Sequence, residues 1–173
     1  MKKTLSVWNI CGFLFVSALG VFLHFLYDLT GESRLAALFS GVNESVWEHI
    51  KLLYFPLLLF AIIQSFFFKN RSDFWCIKLI GAVVGIISIP VIFYTANGAF
   101  GKTPDWFNIT IFFIAAAIVF FIEWRLFMGG LPCRFSRFSI FILLLIAITF
   151  FVFTFYPPEL PLFLDPITNS YGI

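Results

Sequence analysis

Long apolar segments separated by short polar stretches make up most of the chain. The segments near 5–27, 44–68, 77–96, 107–128 and 138–156 are strongly hydrophobic. Each is close to the ~20 residues that a helix needs to cross the ~30 Å hydrocarbon core of a bilayer. The pattern therefore predicts an all-α membrane protein with five transmembrane helices. Because little apolar sequence is left outside these segments, we expect one integral membrane domain over residues 1–173.

Two further segments do not have the pattern of a membrane span. Residues 29–42 combine an apolar side with the charged pair Glu32 and Arg34, which is typical of a short interfacial segment. It would roof the outer ends of the helices, or act as a lid that admits lipid. The tail, residues 157–173, is rich in proline but apolar around Phe163. We expect it to be extended and folded over the outer face.

The basic residues predict the orientation of the helices, because Lys and Arg in short loops are retained on the cytoplasmic side. With the amino terminus inside, eight basic residues lie at the inner flanks: Lys2, Lys3, Lys69, Arg71, Lys78, Arg125, Arg134 and Arg137. The outer flanks carry three: Arg34, Lys51 and Lys102. This bias predicts an N-in, C-out topology. Glu123 and Arg125 are interpreted as side chains that extend to the inner headgroups.

The net charge and the cysteines argue against nucleic-acid binding and against a C-x-x-C site. The net charge is only +2 and the basic residues are scattered, which excludes a basic nucleic-acid-binding stripe. Cys11, Cys76 and Cys133 are far apart in sequence and form no C-x-x-C pair. We therefore expect buried or inert thiols.

Both histidines and four of the nine carboxylates fall between His24 and His49. His24 and Asp28, four residues apart, share one side of the first helix, and Glu44 and Glu48 lie near the start of the second. Ionisable groups near lipid are costly unless they meet a partner or water, so the cluster indicates a functional site. Because a short connection makes the two helices antiparallel neighbours, we expect the histidine side chains to approach within about 12 Å.

Imidazole and carboxylate ligands suit a divalent metal such as Zn²⁺ or Mn²⁺. The expected ligands are His24, Asp28, Glu44, Glu48 and His49, with Glu44, Glu48 and His49 as catalytic residues. A bound metal lowers the pKa of water and would allow hydrolysis of a lipid or envelope precursor. The alternatives are a metal-free acid–base site, a non-enzymatic ligand-binding or accessory subunit, and an ion or proton transporter. Transport is the least favoured, because the polar groups concentrate at one face.

Some of the same residues also have a purely structural interpretation. Ser45-x-x-Glu48 fits a capping box, and Asn43 is a good helix cap. Asp165 precedes Pro166 and could simply initiate a turn. Six further side chains are nevertheless expected around the pocket: Asn43, Ser45, Lys51, Tyr94, Asp165 and Tyr171.

The segment Asn43-Glu44-Ser45-Val46-Trp47-Glu48-His49, with Lys51, His24 and the tail motif from Pro161 to Gly172, resembles a family of small, uncharacterised bacterial membrane proteins. The resemblance covers essentially the whole chain. It implies a multi-pass protein of the bacterial cytoplasmic membrane but no substrate, because the family has no established activity. The expected partners are membrane lipids and a small-molecule or lipid substrate, no nucleic acid is expected, and a homo-oligomer is left open.

Overall fold

A computed structural model describes residues 2–101, 103–133 and 135–173. The described residues form six helices: α1 Lys2–Leu29, α2 Arg34–Ala37, α3 Val46–Ser65, α4 Phe74–Phe100, α5 Asp105–Gly129 and α6 Ser136–Phe155. Lys102 and Arg134, which belong to the charge bias described above, lie outside the described residues. The all-α class expected from the apolar pattern is confirmed.

Five of the helices are long and apolar enough to cross a membrane, all except α2. Their bounds agree with the predicted spans to within about one helical turn, since a run of apolar side chains forms a helix when lipid offers the backbone no hydrogen-bond partner. The short α2 lies in the segment that was expected at the membrane surface. The N-in, C-out orientation stays a prediction.

Helix α3 is the most buried of the five long helices and forms the centre of the bundle. Ile50, Leu53 and Tyr54 on this helix are almost fully buried. The Tyr54 hydroxyl donates a hydrogen bond to the carbonyl oxygen of Leu143, which joins α3 to α6. The first half of α3 is thus held in place by the surrounding helices.

The face of α4 that carries Gly81 and Gly85 packs closely against its neighbours. A Cβ atom at Gly81 would lie 2.5 Å from Glu123 Oε1, and one at Gly85 would lie 3.0 Å from side-chain atoms of Leu53 and Val119. The absence of a side chain at Gly81 makes room for Glu123, which forms an ion pair with Lys78 at 2.5 Å. The expectation that Glu123 extends to the headgroups is therefore wrong, because both partners are buried between α4 and α5.

The cysteines also differ from expectation. Cys76, near the start of α4, and Cys133, between α5 and α6, form a disulfide with their Cα atoms 6.4 Å apart. Cys11 is free and exposed. The prediction of buried or inert thiols is thus wrong for this pair. Sequence spacing could not reveal the pairing, since 57 residues separate the two cysteines and only the packing of α4 brings them together.

Candidate functional site

Two histidines from different helices meet at one carboxylate. His24 Nε2 lies 3.5 Å from Glu44 Oε1, and His49 Nε2 lies 3.6 Å from Glu44 Oε2. The centroids of the two imidazole rings are 5.8 Å apart. The predicted approach of His24 and His49 is confirmed, and we call these three residues the His–Glu site.

The local sequence before α3 holds Glu44 between the histidines. Ser45 is the N-cap of α3, and its hydroxyl accepts a hydrogen bond from the Glu48 amide at 3.4 Å. Asn43 Oδ1 in turn accepts from the Ser45 amide at 3.0 Å. Capping of this kind satisfies amides that have no partner within the helix. The N-cap role of Ser45 is confirmed, and its effect is to fix the backbone on both sides of Glu44. The expected capping box is incomplete, because the Glu48 carboxylate binds the Val42 amide and Lys51 instead of the Ser45 amide.

The orientation of the His49 ring is set by the backbone. His49 Nδ1 lies 2.9 Å from the carbonyl oxygen of Ser45. A carbonyl oxygen only accepts, so Nδ1 carries a proton and Nε2 is the atom presented to Glu44. In the neutral ring Nε2 is an acceptor, and the Glu44 carboxylate oxygen opposite it is an acceptor too. A proton or a cation between these two atoms therefore stabilises their contact.

Glu48, one turn after Glu44, has different partners. Its carboxylate forms an ion pair with Lys51 at 2.5 Å and accepts a hydrogen bond from the Val42 amide at 3.1 Å. The Lys51 ammonium also donates to the carbonyl oxygen of Ala37 and to the Thr154 hydroxyl, at 2.8 and 2.9 Å. This buried network ties α3 to the α2 region and to α6. Glu48 and Lys51 thus serve a structural network rather than the His–Glu site.

A cavity of about 600 Å³ opens beside the His–Glu site. Its wall is mostly apolar, with side chains from α1, α3, α4, α5 and the tail. The polar part of the wall consists of His24, Glu44, His49, Asn97, Thr103, Asn108 and Asn169. Only one of the two glutamates is accessible from this cavity, since the Glu44 side chain is 42 % exposed and the Glu48 side chain only 3 % exposed.

A polar cluster in the wall of this cavity includes Thr103 and Asn108, which were not singled out from the sequence. Asn97 Nδ2 donates to the Thr103 hydroxyl at 3.1 Å, and the Thr103 hydroxyl contacts Asn108 Oδ1 at 3.0 Å. These residues flank the connection from α4 to α5. Two amide side chains near the ends of consecutive apolar segments were the available signal.

The tail contacts the start of α3 and forms part of the cavity wall. The Trp47 amide donates to the carbonyl oxygen of Leu162, and Asn43 Nδ2 donates to that of Gly172, both at 3.0 Å. Phe163 is buried against the Trp47 ring, with centroids 4.7 Å apart. Whether this end of the bundle faces outwards stays a prediction.

Asp165 and Tyr171 shape the tail. The Asp165 carboxylate accepts hydrogen bonds from the Ile167 and Thr168 amides, at 3.0 and 3.3 Å, so it closes the turn at Pro166. Tyr171 pairs with Leu164 in an isolated antiparallel bridge. The carboxylate of Asp165 is therefore engaged within the tail itself.

The remaining two candidates lie on exposed surface. Asp28 is exposed at the end of α1, one turn beyond His24. Tyr94 on α4 is 42 % exposed and contacts the ring of Phe93 edge-on. Of the five side chains expected to bind a metal, the structure thus brings together His24, Glu44 and His49. Among the described residues, no group of three or more His, Cys, Asp or Glu side chains is arranged to hold a metal ion.

A family model described as "Family of unknown function (DUF6512)" matches residues 1–173. The chain belongs to this family. Membership confirms the resemblance to an uncharacterised family and assigns no reaction to a DUF6512 protein. No curated protein and no solved structure matches the chain. The function of this DUF6512 member therefore has to be inferred from the geometry of the His–Glu site and its cavity.

Proposed function

We propose that this multi-pass membrane protein binds a ligand in the cavity and exchanges a proton with it through His24, Glu44 and His49. The observation that carries the proposal is that three ionisable side chains meet at the wall of a mostly apolar cavity of about 600 Å³. This volume is within the ~300–1,000 Å³ range of small-ligand pockets. Few, convergent polar groups in an apolar wall are typical of a pocket that orients one polar group of its ligand.

The polar wall favours a ligand with an uncharged or cationic polar group. Among the described residues that line the cavity, Glu44 is the only acidic side chain, and none is Lys or Arg. Asn97, Asn108 and Asn169 offer both donors and acceptors. Hydroxyl, ester, amide and amine groups match this set better than a phosphate, which binds where several cations converge.

The reaction that suits these groups is hydrolysis of an ester or amide of a lipid or envelope precursor. One imidazole accepts a proton from water as its oxygen attacks the carbonyl carbon. The other imidazole, in its protonated form, gives a proton to the leaving oxygen or nitrogen. Glu44 contacts both rings and so stabilises whichever ring carries the positive charge. The bond from the carbonyl carbon to the leaving atom breaks, and an acid and an alcohol or amine are released.

A metal-dependent form of the same reaction is the second candidate. The observation in its favour is the His49 Nδ1 contact with the Ser45 carbonyl oxygen, because metal-binding histidines commonly direct their second ring nitrogen to such a partner. His24, His49 and Glu44 would be the residues to hold a divalent ion such as Zn²⁺ or Mn²⁺. The described side chains do not form a ready-made group of three metal ligands, so binding would require these residues to rearrange. The experiment below separates the two forms.

We further propose that the site faces the outside of a bacterial cytoplasmic membrane. The support is the bias of basic residues towards the opposite end of the helices, eight against three. A ligand would then reach the cavity from the outer leaflet or from the external aqueous phase.

The test uses the fact that the chain has two histidines. Protein labelled with ¹⁵N-histidine is placed in phosphatidylcholine nanodiscs, and the imidazole signals are followed while monolauroylglycerol, a neutral ester, is added. Glycerol release is measured in the same samples. Glu44→Gln removes the shared carboxylate charge, and Glu159→Gln, at an exposed position in the tail, is the matched control.

We expect both histidine signals to shift with the ester in the unmodified protein and in Glu159→Gln, but not in Glu44→Gln. If hydrolysis occurs, His49→Gln lowers glycerol release by about 10²-fold or more. Binding of monolauroylglycerol without release of glycerol would support the ligand-binding pocket and overturn the proposed hydrolysis. Unchanged histidine signals, or an equal response in Glu44→Gln, would overturn the proposal. Retention of one Zn²⁺ or Mn²⁺ per chain after dialysis, with faster release, would select the metal-dependent form.

A further inference from the structure

A second, smaller space adjoins the His–Glu site on its other side. This cleft has a volume of about 90 Å³ and lies between α1 and α5, with α3 at its base. It shares His24, His49, Ile109 and Phe112 with the larger cavity. The two spaces therefore meet at the imidazole rings.

The outer rim of the cleft is open to the surroundings of the bundle. Val21 and Phe25 of α1 are 43 % and 53 % exposed, and Ile109 of α5 is 54 % exposed. For helices that cross a membrane, apolar side chains exposed in this way contact lipid chains. The cleft thus connects the His–Glu site sideways with the hydrocarbon of the bilayer.

Along α1, polar side chains lie at the end of the helix and apolar side chains lie deeper, which matches a lipid with a polar group at one end and a hydrocarbon chain at the other. Asp28 marks the polar end of this helix, His24 follows one turn deeper, and Val21 lies seven residues from Asp28. At 1.5 Å per residue, Val21 is about 10 Å closer to the membrane centre than Asp28. A polar group at His24 would therefore leave an attached chain at the level of Gly20 and Val21.

Gly20 allows the helices to approach closely at the base of the cleft. A Cβ atom there would collide with the Phe112 ring and lie 3.2 Å from the carbonyl oxygen of Leu52. A larger residue at position 20 would displace Phe112, whose ring lines both spaces. The shape of the cleft therefore depends on this glycine.

We infer that the cleft between α1 and α5 holds a hydrocarbon chain of the ligand, whose uncharged or amine-bearing polar group lies at His24, Glu44 and His49. The ligand is thus a lipid that enters from the bilayer rather than from water. This inference rests on the proposed function, because it uses the His–Glu site as the place of the polar group. Its new content is the choice of a lipid over a ligand from water, the entry of that lipid from the bilayer, and the path of its chain.

The test compares ligands with and without a chain, and a cleft that is open or filled. Monolauroylglycerol and glycerol are titrated into protein in phosphatidylcholine nanodiscs, with the ¹⁵N signals of the two histidines as the readout. Val21→Trp fills the cleft without changing the polar residues. Val7→Trp, at a 59 % exposed position nearer the other end of α1, is the matched control.

We expect monolauroylglycerol to bind the unmodified protein and Val7→Trp equally well. Val21→Trp should weaken its binding roughly tenfold, the factor that corresponds to losing the burial of about two methylene groups. Glycerol should bind far more weakly and equally in all three proteins. Dodecyl phosphate, with the same chain length and an anionic group, should bind more weakly than the neutral ester.

The outcomes separate this inference from the proposed function. Equal binding of monolauroylglycerol to Val21→Trp and Val7→Trp, with loss in Glu44→Gln, would overturn the role of the cleft and leave the proposed function intact. Loss in Val21→Trp with unchanged binding in Glu44→Gln would overturn the proposed function instead. Glycerol binding as tight as that of the ester would show that no chain is recognised.

Discussion

The carboxylate of Glu48 and the ammonium of Lys51 lie 2.5 Å apart in a fully enclosed ion pair, one turn from the accessible carboxylate of Glu44. Two acids that are neighbours on the sequence thus have separate roles. Glu44 belongs to the wall of the cavity, and Glu48 belongs to the contacts that hold α3 against α2 and α6.

Breaking this buried pair should destabilise the protein strongly. Lys51→Met leaves the Glu48 carboxylate buried without its partner, which typically costs about 3–5 kcal/mol. Melting curves in one detergent measure the effect, with Glu159→Gln as a control that should melt like the unmodified protein. The double variant Glu48→Leu with Lys51→Met should recover much of the loss. A Lys51→Met protein that melts normally would contradict the structural role.

Glu44→Gln, unlike Lys51→Met, should change ligand binding and leave the stability of the protein nearly unchanged. Its side chain is 42 % exposed, and exposed ion pairs contribute roughly 0–1 kcal/mol to stability. We therefore expect a melting temperature close to that of the unmodified protein, together with loss of the histidine response to ligand. A large fall in melting temperature with an intact histidine response would assign Glu44 to the structural network instead.

The end of the bundle opposite the His–Glu site should lose stability in acid. The Arg71 guanidinium donates hydrogen bonds to both oxygens of Asp73, at 2.9 and 2.7 Å, and this contact lowers the pKa of the Asp73 carboxyl. A carboxyl whose pKa is lower in the folded state than in the unfolded chain stabilises the fold at pH values above its unfolded pKa, which is near 4. This contribution is lost as the pH falls through the lower pKa of the folded state. Melting temperature measured from pH 7 to pH 3 should therefore fall less steeply in Asp73→Asn than in the unmodified protein.

Cysteine labelling tests the orientation. In a background with Cys11, Cys76 and Cys133 all replaced by Ser, a membrane-impermeant maleimide added to intact cells should label Glu32→Cys and Asn169→Cys. Arg71→Cys, on the loop between α3 and α4, should react only after the membrane is opened. Labelling of Arg71→Cys in intact cells would reverse the N-in, C-out topology.

The disulfide gives an independent test of the same topology. Cys76 and Cys133 lie at the end of the bundle that the basic residues place in the cytoplasm, where thiols are kept reduced. With that orientation, rapid alkylation of growing cells should find both thiols free, and the bond should form only in purified protein exposed to air. A bond already complete in growing cells would place this end outside.

The apolar pattern predicted the five long helices well because the length of a span is set by the bilayer, and the short first connection predicted the meeting of His24 and His49. The different roles of Glu44, in the cavity wall, and Glu48, in the buried ion pair, could not be predicted. It depends on where Lys51 finds the Ala37 carbonyl oxygen and the Thr154 hydroxyl, the latter 103 residues away.

The Lys78–Glu123 pair was missed for a similar reason. Lys78 was counted among the basic residues of the inner flanks and Glu123 was assigned to the headgroups, although the two are buried and 2.5 Å apart. The available signal was Gly81, three residues after Lys78 on the same helix, since a glycine there leaves space for a side chain from the next helix. Sequence alone does not say which helix supplies it.

The hydrogen bond from Asn43 to the Gly172 carbonyl oxygen joins residues 129 positions apart, and the Trp47 amide is held by Leu162 in the same region. Residue 172 leaves the ribosome only after all five long helices have been synthesised. His24, Glu44 and His49 are therefore present in the membrane well before the backbone that braces them and closes one wall of their cavity. During synthesis this cavity therefore stays open on one side until the tail has been made and has packed against the start of α3.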